Sequence, residues 1–225
     1  MIDKIAKLIT DKKYRFYVLL RHGFYNKWSD ERFLKKIYKI RMGESLNLEC
    51  PVTFNEKLQW LKLHDRNPLY TKMVDKYEFK NYIKERLGEG YTIPTLGVWD
   101  SFDDIDFSSL PDKFVLKCTH DSGGLVICKD KENFDVDKAR KKIKKALKSD
   151  YYLTSREWPY KNVKRRVIAE KYMEEDESGV LTDYKVFCFN GVPKIVYISK
   201  DKAEDPTTDF FDENFNHLEM RMRDP

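Results

Sequence analysis

The segment KFVLKCTHDSGGLVICKD, residues 113–130, combines a lysine with a glycine-rich turn in a way that suits phosphate chemistry. An apolar run ends at Lys117, a polar loop closes on Gly123 and Gly124, and a second apolar run follows. This pattern is typical of a β-hairpin. A fixed ammonium group beside backbone N–H groups that turn inward suits phosphate binding. An ordinary turn beside a surface lysine has the same pattern. The rest of the chain must therefore distinguish a phosphate-binding hairpin from an ordinary turn.

Further charged residues follow the same logic along the chain. Lys76 stands at the start of a predicted helix, and Glu170 ends a predicted strand. Asp183 and Lys185 open a predicted hairpin that leads to Lys200. Because Lys185 follows Asp183 by two residues, the two side chains share one face of a strand. Each residue alone has an ordinary structural explanation, and only their order and spacing indicate a site.

The first 70 residues are predicted to be helical. Phe33 and Ile37 repeat at helical spacing, and Gly43 is placed to end that helix. Thr53 and Glu56 have the spacing of a capping box. The following helix is expected to bury a stripe formed by Leu58, Trp60 and Leu61.

The pattern then changes to strands and hairpins, which predicts an α+β fold. Residues 1–70 form a predicted helical region and residues 71–225 a second domain with two α+β subdomains. The segment 199–216 is predicted to be a polar loop. The other predicted elements are an extended segment at 91–99, hairpins at 113–129 and 183–200, a helix at 135–150 capped by Asp135, and a strand at 165–173.

Composition points to a folded protein of a reducing cytoplasm. The 225 residues are 14% aromatic and 36% charged, and no apolar run approaches the roughly 20 residues that span a bilayer. Charged residues interrupt the N-terminus, so a signal peptide is not expected. The cysteines lack metal-ligand spacing and are predicted to be buried free thiols: Cys50, Cys118, Cys128 and Cys188.

Positive charge is concentrated near the N-terminus. Residues 1–43 contain 12 Lys/Arg against 4 Asp/Glu, whereas the whole chain has a net charge of only +5. A solvated helix surface explains this excess of positive charge. The alternative explanation is that these residues contact an anionic membrane surface. Nucleic acid is not expected as a partner, because the basic stretches KKIKK and KNVKRR lie in separate elements without a recognition motif.

The order of these elements resembles the ATP-grasp superfamily. The runs DKYEFKNYIKERLGEGYTIP, KFVLKCTHDSGGLVI, VIAEKYMEE and DYKVFCFNG follow its order. TFNEKLQWLKLHDRNPLYTKMVDKYEFKNYI and LKCTHDSGG are similar to its TupA-like branch, which is associated with bacterial surface polysaccharide and teichuronopeptide synthesis. The resemblance covers nearly the whole chain and implies that ATP lies between two α+β halves.

The resemblance also implies roles for single residues. Lys76 and Lys117 match lysines that contact nucleotide phosphates, and Lys200 matches a basic residue that steadies the transferred phosphate, so Lys117 and Lys200 are the candidate catalytic residues. The loop over the phosphates corresponds to Thr119, His120, Asp121, Ser122, Gly123 and Gly124. Because His120 lies in a loop, its side chain is expected to be exposed to solvent.

The adenine-binding segment corresponds to Glu170, Lys171, Tyr172 and Met173. In this comparison the backbone of Lys171 and Met173 meets the base edge, and Tyr172 or Met173 packs on its face. Asp183 matches the acidic residue that holds the ribose hydroxyls, and Lys185 lines the same cleft.

The implied reaction is carboxylate activation by ATP with magnesium ions, followed by amide formation. Its partners would be a glycan or uronic-acid carboxylate and an amine, used in the cytoplasm or at the inner face of the membrane. The family's magnesium ligands lie on later strands than any in this chain, so no metal ligand is assigned. The chain is accordingly expected to be C-terminally incomplete, with weak ATP binding and little turnover.

Two alternatives remain open. Some relatives are labelled glycosyltransferases, but Asp104 and Asp106 of the Asp-x-Asp sequence lie in a turn-like stretch, and the alternating βαβ pattern is absent. A non-catalytic nucleotide-binding protein that docks through residues 1–43 is the other alternative.

Overall fold

The computed structural model describes residues 2–174, 181–200 and 207–221. The chain divides into two compact units, Met1–Lys171 and Tyr172–Pro225. The predicted mixture of N-terminal helices followed by antiparallel sheets is confirmed. The domain boundary near residue 70 stays a prediction.

The first unit begins with helices whose ends follow the sequence signals. Gly43 ends α3 with a φ of 81°, which glycine adopts without strain. Both bonds of the capping box between Thr53 and Glu56 are present at the start of α4. The helices are α1 (Ile2–Thr10), α2 (Lys12–Arg21), α3 (Asp30–Met42), α4 (Phe54–His64), α5 (Leu69–Val74) and α6 (Glu78–Leu87).

The helical region has its own core, but α4 does not bury the predicted stripe. Leu63 is the α4 residue that packs partly against this core. Leu58, Trp60 and Leu61 are 38%, 37% and 42% exposed, so the prediction for them was wrong. The helix turns a different side toward its neighbours, which the capping signal does not determine. The core consists of Phe16, Tyr25, Phe33, Leu34, Ile37, Tyr38 and Leu46.

The second part of the first unit is a four-stranded antiparallel sheet in the order β1-β4-β2-β3. The predicted hairpin of 113–129 is confirmed as β2 and β3. Asp135 caps α7 by accepting a hydrogen bond from the backbone N–H of Lys138, as predicted. The elements are β1 (Thr95–Trp99), β2 (Phe114–Cys118), β3 (Leu125–Cys128), α7 (Val136–Lys148), α8 (Tyr152–Ser155) and β4 (Val167–Lys171).

The two faces of this sheet differ in character. Phe114, Leu116 and Cys118 alternate along β2 and bury one face against α7, where Ala139 and Ile143 complete the core. The residues between them on β2, which include Lys117, point to the opposite face. A strand that is apolar on one side thus carries a charged group on the other.

The second unit is another antiparallel sheet, in the order β5-β6-β7-β8. Asn190 and Gly191, with φ values of 50° and 79°, turn the predicted hairpin. The polar loop predicted for 199–216 is wrong in part, because Phe210 and Phe211 lie on a strand that pairs with β6. Residues 201–206 of this segment lie outside the described residues. The strands are β5 (Thr182–Phe189), β6 (Val192–Lys200), β7 (Thr207–Asp212) and β8 (His217–Leu218).

Two of the four cysteines depart from the prediction. Cys118 and Cys128 are buried free thiols in the core of the first sheet, as expected. Cys50 and Cys188 are exposed, because Cys50 lies in the connection before α4 and Cys188 lies on the exposed strand β5.

Asp104 and Asp106 lie where two short 3-10 helices meet, Phe102–Asp104 and Phe107–Ser109. The carboxylate of Asp106 accepts hydrogen bonds from the backbone N–H and the hydroxyl of Ser108. The expectation of a turn is confirmed, and the carboxylate serves as a helix cap.

A buried ion-pair network joins the helical region to the segment around α8. The side chain of Arg156 is only 1% exposed, and its Nε lies 3.3 Å from the Asp30 carboxylate. Its Nη2 donates a hydrogen bond of 2.8 Å to the carbonyl oxygen of Tyr25. The hydroxyl of Tyr152 also donates to Asp30, at 2.5 Å. Burial and this carboxylate both raise the pKa of Tyr152.

Replacing Asp30 tests how much this network contributes to the free energy of unfolding. Asp30→Asn leaves the buried guanidinium without its counter-charge, so we expect the free energy of unfolding to fall by about 3 kcal/mol. Urea denaturation of the full chain measures the change. Asp103→Asn is the matched control, since Asp103 pairs with Arg140 and Lys144 at the exposed surface and should have little measurable effect. Equal losses in the two variants would contradict the prediction.

Candidate functional site

Sheet register brings Lys117 and Glu170 together. Glu170 on β4 pairs with Val115 on β2, and Lys117 lies two residues further along β2 on the same face. The Nζ of Lys117 is 2.5 Å from Oε2 of Glu170. The two residues that the sequence assigned separately therefore form one ion pair.

Lys80 adds a second ammonium group from α6. Its Nζ lies 2.6 Å from Oε1 of Glu170 and donates a hydrogen bond of 2.5 Å to the carbonyl oxygen of Ile93. The Glu170 side chain is only 5% exposed, so its carboxylate is almost enclosed between the two lysines. Burial alone would raise the pKa of Glu170, but the hydrogen bonds and charges of Lys117 and Lys80 outweigh burial and lower it.

Lys76 is held next to this cluster by the hairpin loop. Its backbone N–H donates to the carbonyl oxygen of Thr119 at 3.1 Å. Its Nζ donates to the carbonyl oxygen of Cys118 at 3.1 Å and to that of Asp121. Burial lowers the pKa of Lys76, the Asp121 charge opposes this effect, and the nearby Lys117 adds to the lowering. Lys76 and Lys117 are therefore close enough for their positive charges to repel one another.

Arg166 and Asp75 fix the start of α6 against the sheet. The buried Asp75 carboxylate accepts hydrogen bonds from the backbone N–H groups of Tyr77 and Glu78. Nη2 of Arg166 lies 2.9 Å from Asp75 and 2.8 Å from the Glu78 carboxylate. Because Lys76 and Lys80 lie on this same segment, the Arg166 contacts help to position both lysines.

The glycine-rich loop is partly packed into the unit. Thr119, His120 and Asp121 are buried, whereas Ser122 and Gly123 form the exposed tip. The carboxylate of Asp121 accepts a hydrogen bond of 3.0 Å from the backbone N–H of Gly124. A Cβ at Gly124 would stand 2.5 Å from that carboxylate and 2.8 Å from the Cβ of Ala146, so only glycine fits.

The expectation that the His120 side chain is exposed to solvent was wrong. The side chain turns inward, and Nε2 lies 3.2 Å from the carbonyl oxygen of Ser149, beyond the end of α7. Burial lowers the pKa of His120, although the charge of Asp121 opposes the effect. The tip of the loop, at Ser122 and Gly123, is therefore the part whose backbone faces solvent.

Lys171 ends β4 and the first unit. Its backbone N–H already donates to the carbonyl oxygen of Pro94 at 3.0 Å. Tyr172 and Met173 begin the second unit, and Met173 is 40% exposed. The predicted contacts of these three residues with adenine stay predictions.

In the second unit, Asp183 and Lys185 form an ion pair on one face of β5, as their spacing predicts. The Lys185 ammonium also lies 5.0 Å from the ring centre of Tyr197, on the neighbouring strand. Lys200 pairs with Thr182, so its side chain points to the face opposite that of Asp183. The register does not bring Lys200 together with the other two, and its predicted role stays a prediction.

The search for metal ligands covers the described ranges only. Within them, no three His, Cys, Asp or Glu side chains are grouped so that they could hold a metal ion.

The sequence reasoning missed Lys80, Asp75 and Arg166. Lys80 follows Lys76 by four residues, a spacing typical of two side chains on one side of a helix, so a signal was present, although Lys76 itself lies in the turn before α6. The pairing of Arg166 with Asp75 spans 91 residues and leaves no local pattern.

Fold and geometry place the chain among mixed α+β proteins, with three lysine side chains gathered beside a glycine-rich hairpin. Residues 56–225 match the family described as TupA-like ATPgrasp. The chain belongs to the TupA-like ATP-grasp family. Membership implies ATP binding and suggests an ATP-dependent, ligase-like activity. A comparison with curated proteins finds no match.

The residues of the first unit fit the phosphates of ATP. Lys80 and Lys117 pair with the buried Glu170 carboxylate, and Lys76 is held beside the same hairpin by the carbonyl oxygens of Cys118 and Asp121. Ammonium groups held on fixed elements are suitable partners for phosphate oxygens. The narrow packing at Gly124 gives the adjacent loop its shape.

The lowered pKa of Glu170 predicts an acid-sensitive contribution to stability. A carboxyl group whose pKa is lowered on folding stabilises the native state above its unfolded pKa of about 4.3, and this contribution is lost as the pH falls through the folded pKa. We expect Glu170→Gln to lower the free energy of unfolding by about 2 kcal/mol at neutral pH, because two lysines lose their counter-charge. The difference from wild type should shrink below about pH 4.

Urea denaturation across this pH range measures both effects. Glu85→Gln is the control, since Glu85 makes an exposed ion pair with Lys72. A difference between wild type and Glu170→Gln that stays constant with pH would contradict the prediction.

Proposed function

We propose that the chain is an ATP-dependent carboxylate–amine ligase of bacterial surface polysaccharide or capsule synthesis. The observation that carries the proposal is the pairing of Lys80 and Lys117 with Glu170, with Lys76 held on the adjacent hairpin loop, in a chain of the TupA-like ATP-grasp family. This cluster supplies fixed positive charge where a polyphosphate needs it, and the family supplies the class of reaction.

In the proposed reaction, a carboxylate oxygen of the glycan attacks the γ-phosphorus of ATP. The bond to the bridging oxygen breaks, and ADP leaves with that electron pair. An amine then attacks the carbonyl carbon of the acyl phosphate, phosphate leaves, and the nitrogen loses a proton to form the amide. Magnesium, when bound, would neutralise phosphate charge.

The residues of the chain act by position and charge. Lys117 and Lys76 would bind phosphate oxygens, and Glu170 would hold Lys117 at a fixed place between the two strands. Backbone N–H groups at the loop tip of Ser122 and Gly123 would cover the same phosphates. Asp183 would hold the ribose, and Lys200 would steady the transferred phosphate.

Calorimetric titration with ATP–Mg tests the nucleotide site. Lys117→Ala removes one phosphate partner, so we expect at least a tenfold weaker affinity for ATP, about 1.4 kcal/mol. Lys141→Ala is the matched control, because Lys141 is exposed on α7.

A parallel titration with UDP-sugars distinguishes the remaining alternatives. Saturable UDP-sugar binding without a response to ATP would overturn the ligase proposal and favour a glycosyltransferase. Equal ATP affinity in wild type and Lys117→Ala would remove Lys117 from the site.

We also propose that residues 1–43 attach the protein peripherally to an anionic membrane surface. Ile5 and Ile9 on α1 are 56% and 68% exposed. Nη1 of Arg15 donates to the carbonyl oxygen of Ile9 at 2.8 Å, so a cation lies beside this apolar face. Exposed isoleucines next to cations suit the boundary between acyl chains and anionic headgroups. None of the helices in the described ranges combines the length and hydropathy needed to span a bilayer.

Sedimentation with vesicles tests this attachment. We expect binding to phosphatidylcholine vesicles that contain phosphatidylglycerol, and weaker binding at about 0.5 M salt because the charges are screened. The double variant Ile5→Asp, Ile9→Asp should lower the bound fraction at least fivefold, whereas Val52→Asp, at a 71% exposed position outside the segment, should not. A bound fraction that changes neither in the double isoleucine variant nor at high salt would rule out the proposed surface.

A further inference from the structure

The Glu170 carboxylate divides its two oxygen atoms between two lysines that differ in exposure. Nζ of Lys80 lies 2.6 Å from Oε1 of Glu170, and Nζ of Lys117 lies 2.5 Å from Oε2. The side chain of Lys80 is 14% exposed, whereas that of Lys117 is 29% exposed. We call Lys80, Glu170 and Lys117 the Glu170 triad. Lys117 is the lysine of this triad that is more open to a ligand.

Lys80 is held in place from two directions. Besides its ion pair with Glu170, its Nζ donates a hydrogen bond of 2.5 Å to the carbonyl oxygen of Ile93, just before β1. An ammonium group has three N–H donors, and the two protein acceptors engage two of them. An enclosed ammonium group with these two partners is poorly placed to turn toward phosphate. Lys80 therefore acts on a ligand through Glu170 and not by contact.

The charges of the triad show what Lys80 contributes. A carboxylate and a single lysine form a neutral pair, so Glu170 by itself would offset the attraction of Lys117 for a phosphate. Two ammonium groups share this carboxylate, which leaves one positive charge of the triad without an opposite charge inside it. The lowered pKa of Glu170 keeps the carboxylate ionised at neutral pH, so this balance of charges holds there.

We propose that Lys80 is a positioning residue that balances the charge of Glu170, so that Glu170 can hold Lys117 in place while Lys117 still attracts a polyphosphate. Lys117 has three N–H donors and can keep one on Glu170 while it directs the others to phosphate oxygens. The presence of a polyphosphate at Lys117 rests on the proposed function.

Two other roles of Lys80 make different predictions. A direct contact between Lys80 and phosphate would be lost with the side chain, whatever residue stands at position 170. A role limited to joining α6 to the sheet would affect stability, but it would not depend on the charge at position 170. Only the balancing role predicts that removing the charge of Glu170 compensates for removing the charge of Lys80.

Calorimetric titration of the full chain with inorganic triphosphate tests the proposal, because this probe has the phosphate chain of ATP without adenine or ribose. Lys80→Met leaves Glu170 and Lys117 as a neutral pair, so we expect about tenfold weaker binding. The double variant Lys80→Met, Glu170→Gln removes one charge of each sign, so its affinity should return to within about twofold of wild type. The new amide has Lys117 and the carbonyl oxygen of Ile93 as partners in that variant.

Lys84→Met is the matched control for the loss of a lysine from α6. Lys84 lies one turn after Lys80, and its ion pair with Glu89 is exposed, so the affinity for triphosphate should not change. Circular dichroism and urea denaturation without ligand report the folding of each variant separately from its affinity.

Glu170→Gln alone gives a second comparison, which decides the question if Lys80→Met does not fold. This variant removes a negative charge beside Lys117, and its amide oxygen can still accept a hydrogen bond from that lysine. We expect it to bind triphosphate about fivefold more tightly than wild type, although it is less stable. A structural role of the triad would predict weaker binding in a less stable variant.

The proposal is overturned if wild type does not bind triphosphate, if Lys80→Met binds it as tightly as wild type, or if the double variant binds it as weakly as Lys80→Met. Weaker binding by Glu170→Gln than by wild type would also overturn it. ATP titration of the same samples separates this proposal from the ligase. Triphosphate binding with the expected compensation but without ATP binding removes the ligase and keeps the role of Lys80. ATP binding that is the same in wild type and Lys80→Met does the reverse.

Discussion

The buried carboxylate of Glu170 is the constraint on which the candidate site depends. It lies between the ammonium groups of Lys80 and Lys117, at 2.6 and 2.5 Å, and is almost excluded from water. A buried charge is stable only when it is paired, so the carboxylate requires both lysines to remain close. Because Lys80 lies on α6 and Lys117 on β2, this single group joins a helix to the sheet and holds two cations beside the glycine-rich hairpin.

The two faces of this sheet have different roles: one packs into the hydrophobic core, and the other carries the charged residues of the candidate site. One face of β2 packs Phe114 and Leu116 against α7 in a close-packed core. The other face presents Lys117, whose position is therefore set by the strand and not by a flexible loop. Positioned charge is the main means by which such a site acts on phosphates, because a fixed ammonium group needs no rearrangement during the reaction.

The short helix α5 leads into the segment that carries Lys76 and Lys80. The buried Asp75 follows α5 directly and accepts hydrogen bonds from the backbone N–H groups of Tyr77 and Glu78 at the start of α6. Arg166, the residue before β4, pairs with Asp75 and so fixes the start of α6 beside the sheet.

The sequence by itself determined the local elements and the family. The capping box of Thr53, the stop at Gly43 and the turn at Asn190–Gly191 depend on neighbouring residues, so their patterns predict them correctly. Lysine and glycine spacing also identified Lys117 and its loop. Tertiary structure alone decided which lysines meet Glu170 and that His120 turns inward. It also decided that Leu58 and Leu61 of α4 remain exposed, because packing between distant segments selects the face that a helix buries. Strand register likewise decided which face of the sheet carries Lys200, because Lys200 pairs with Thr182 and so points away from the face of Asp183.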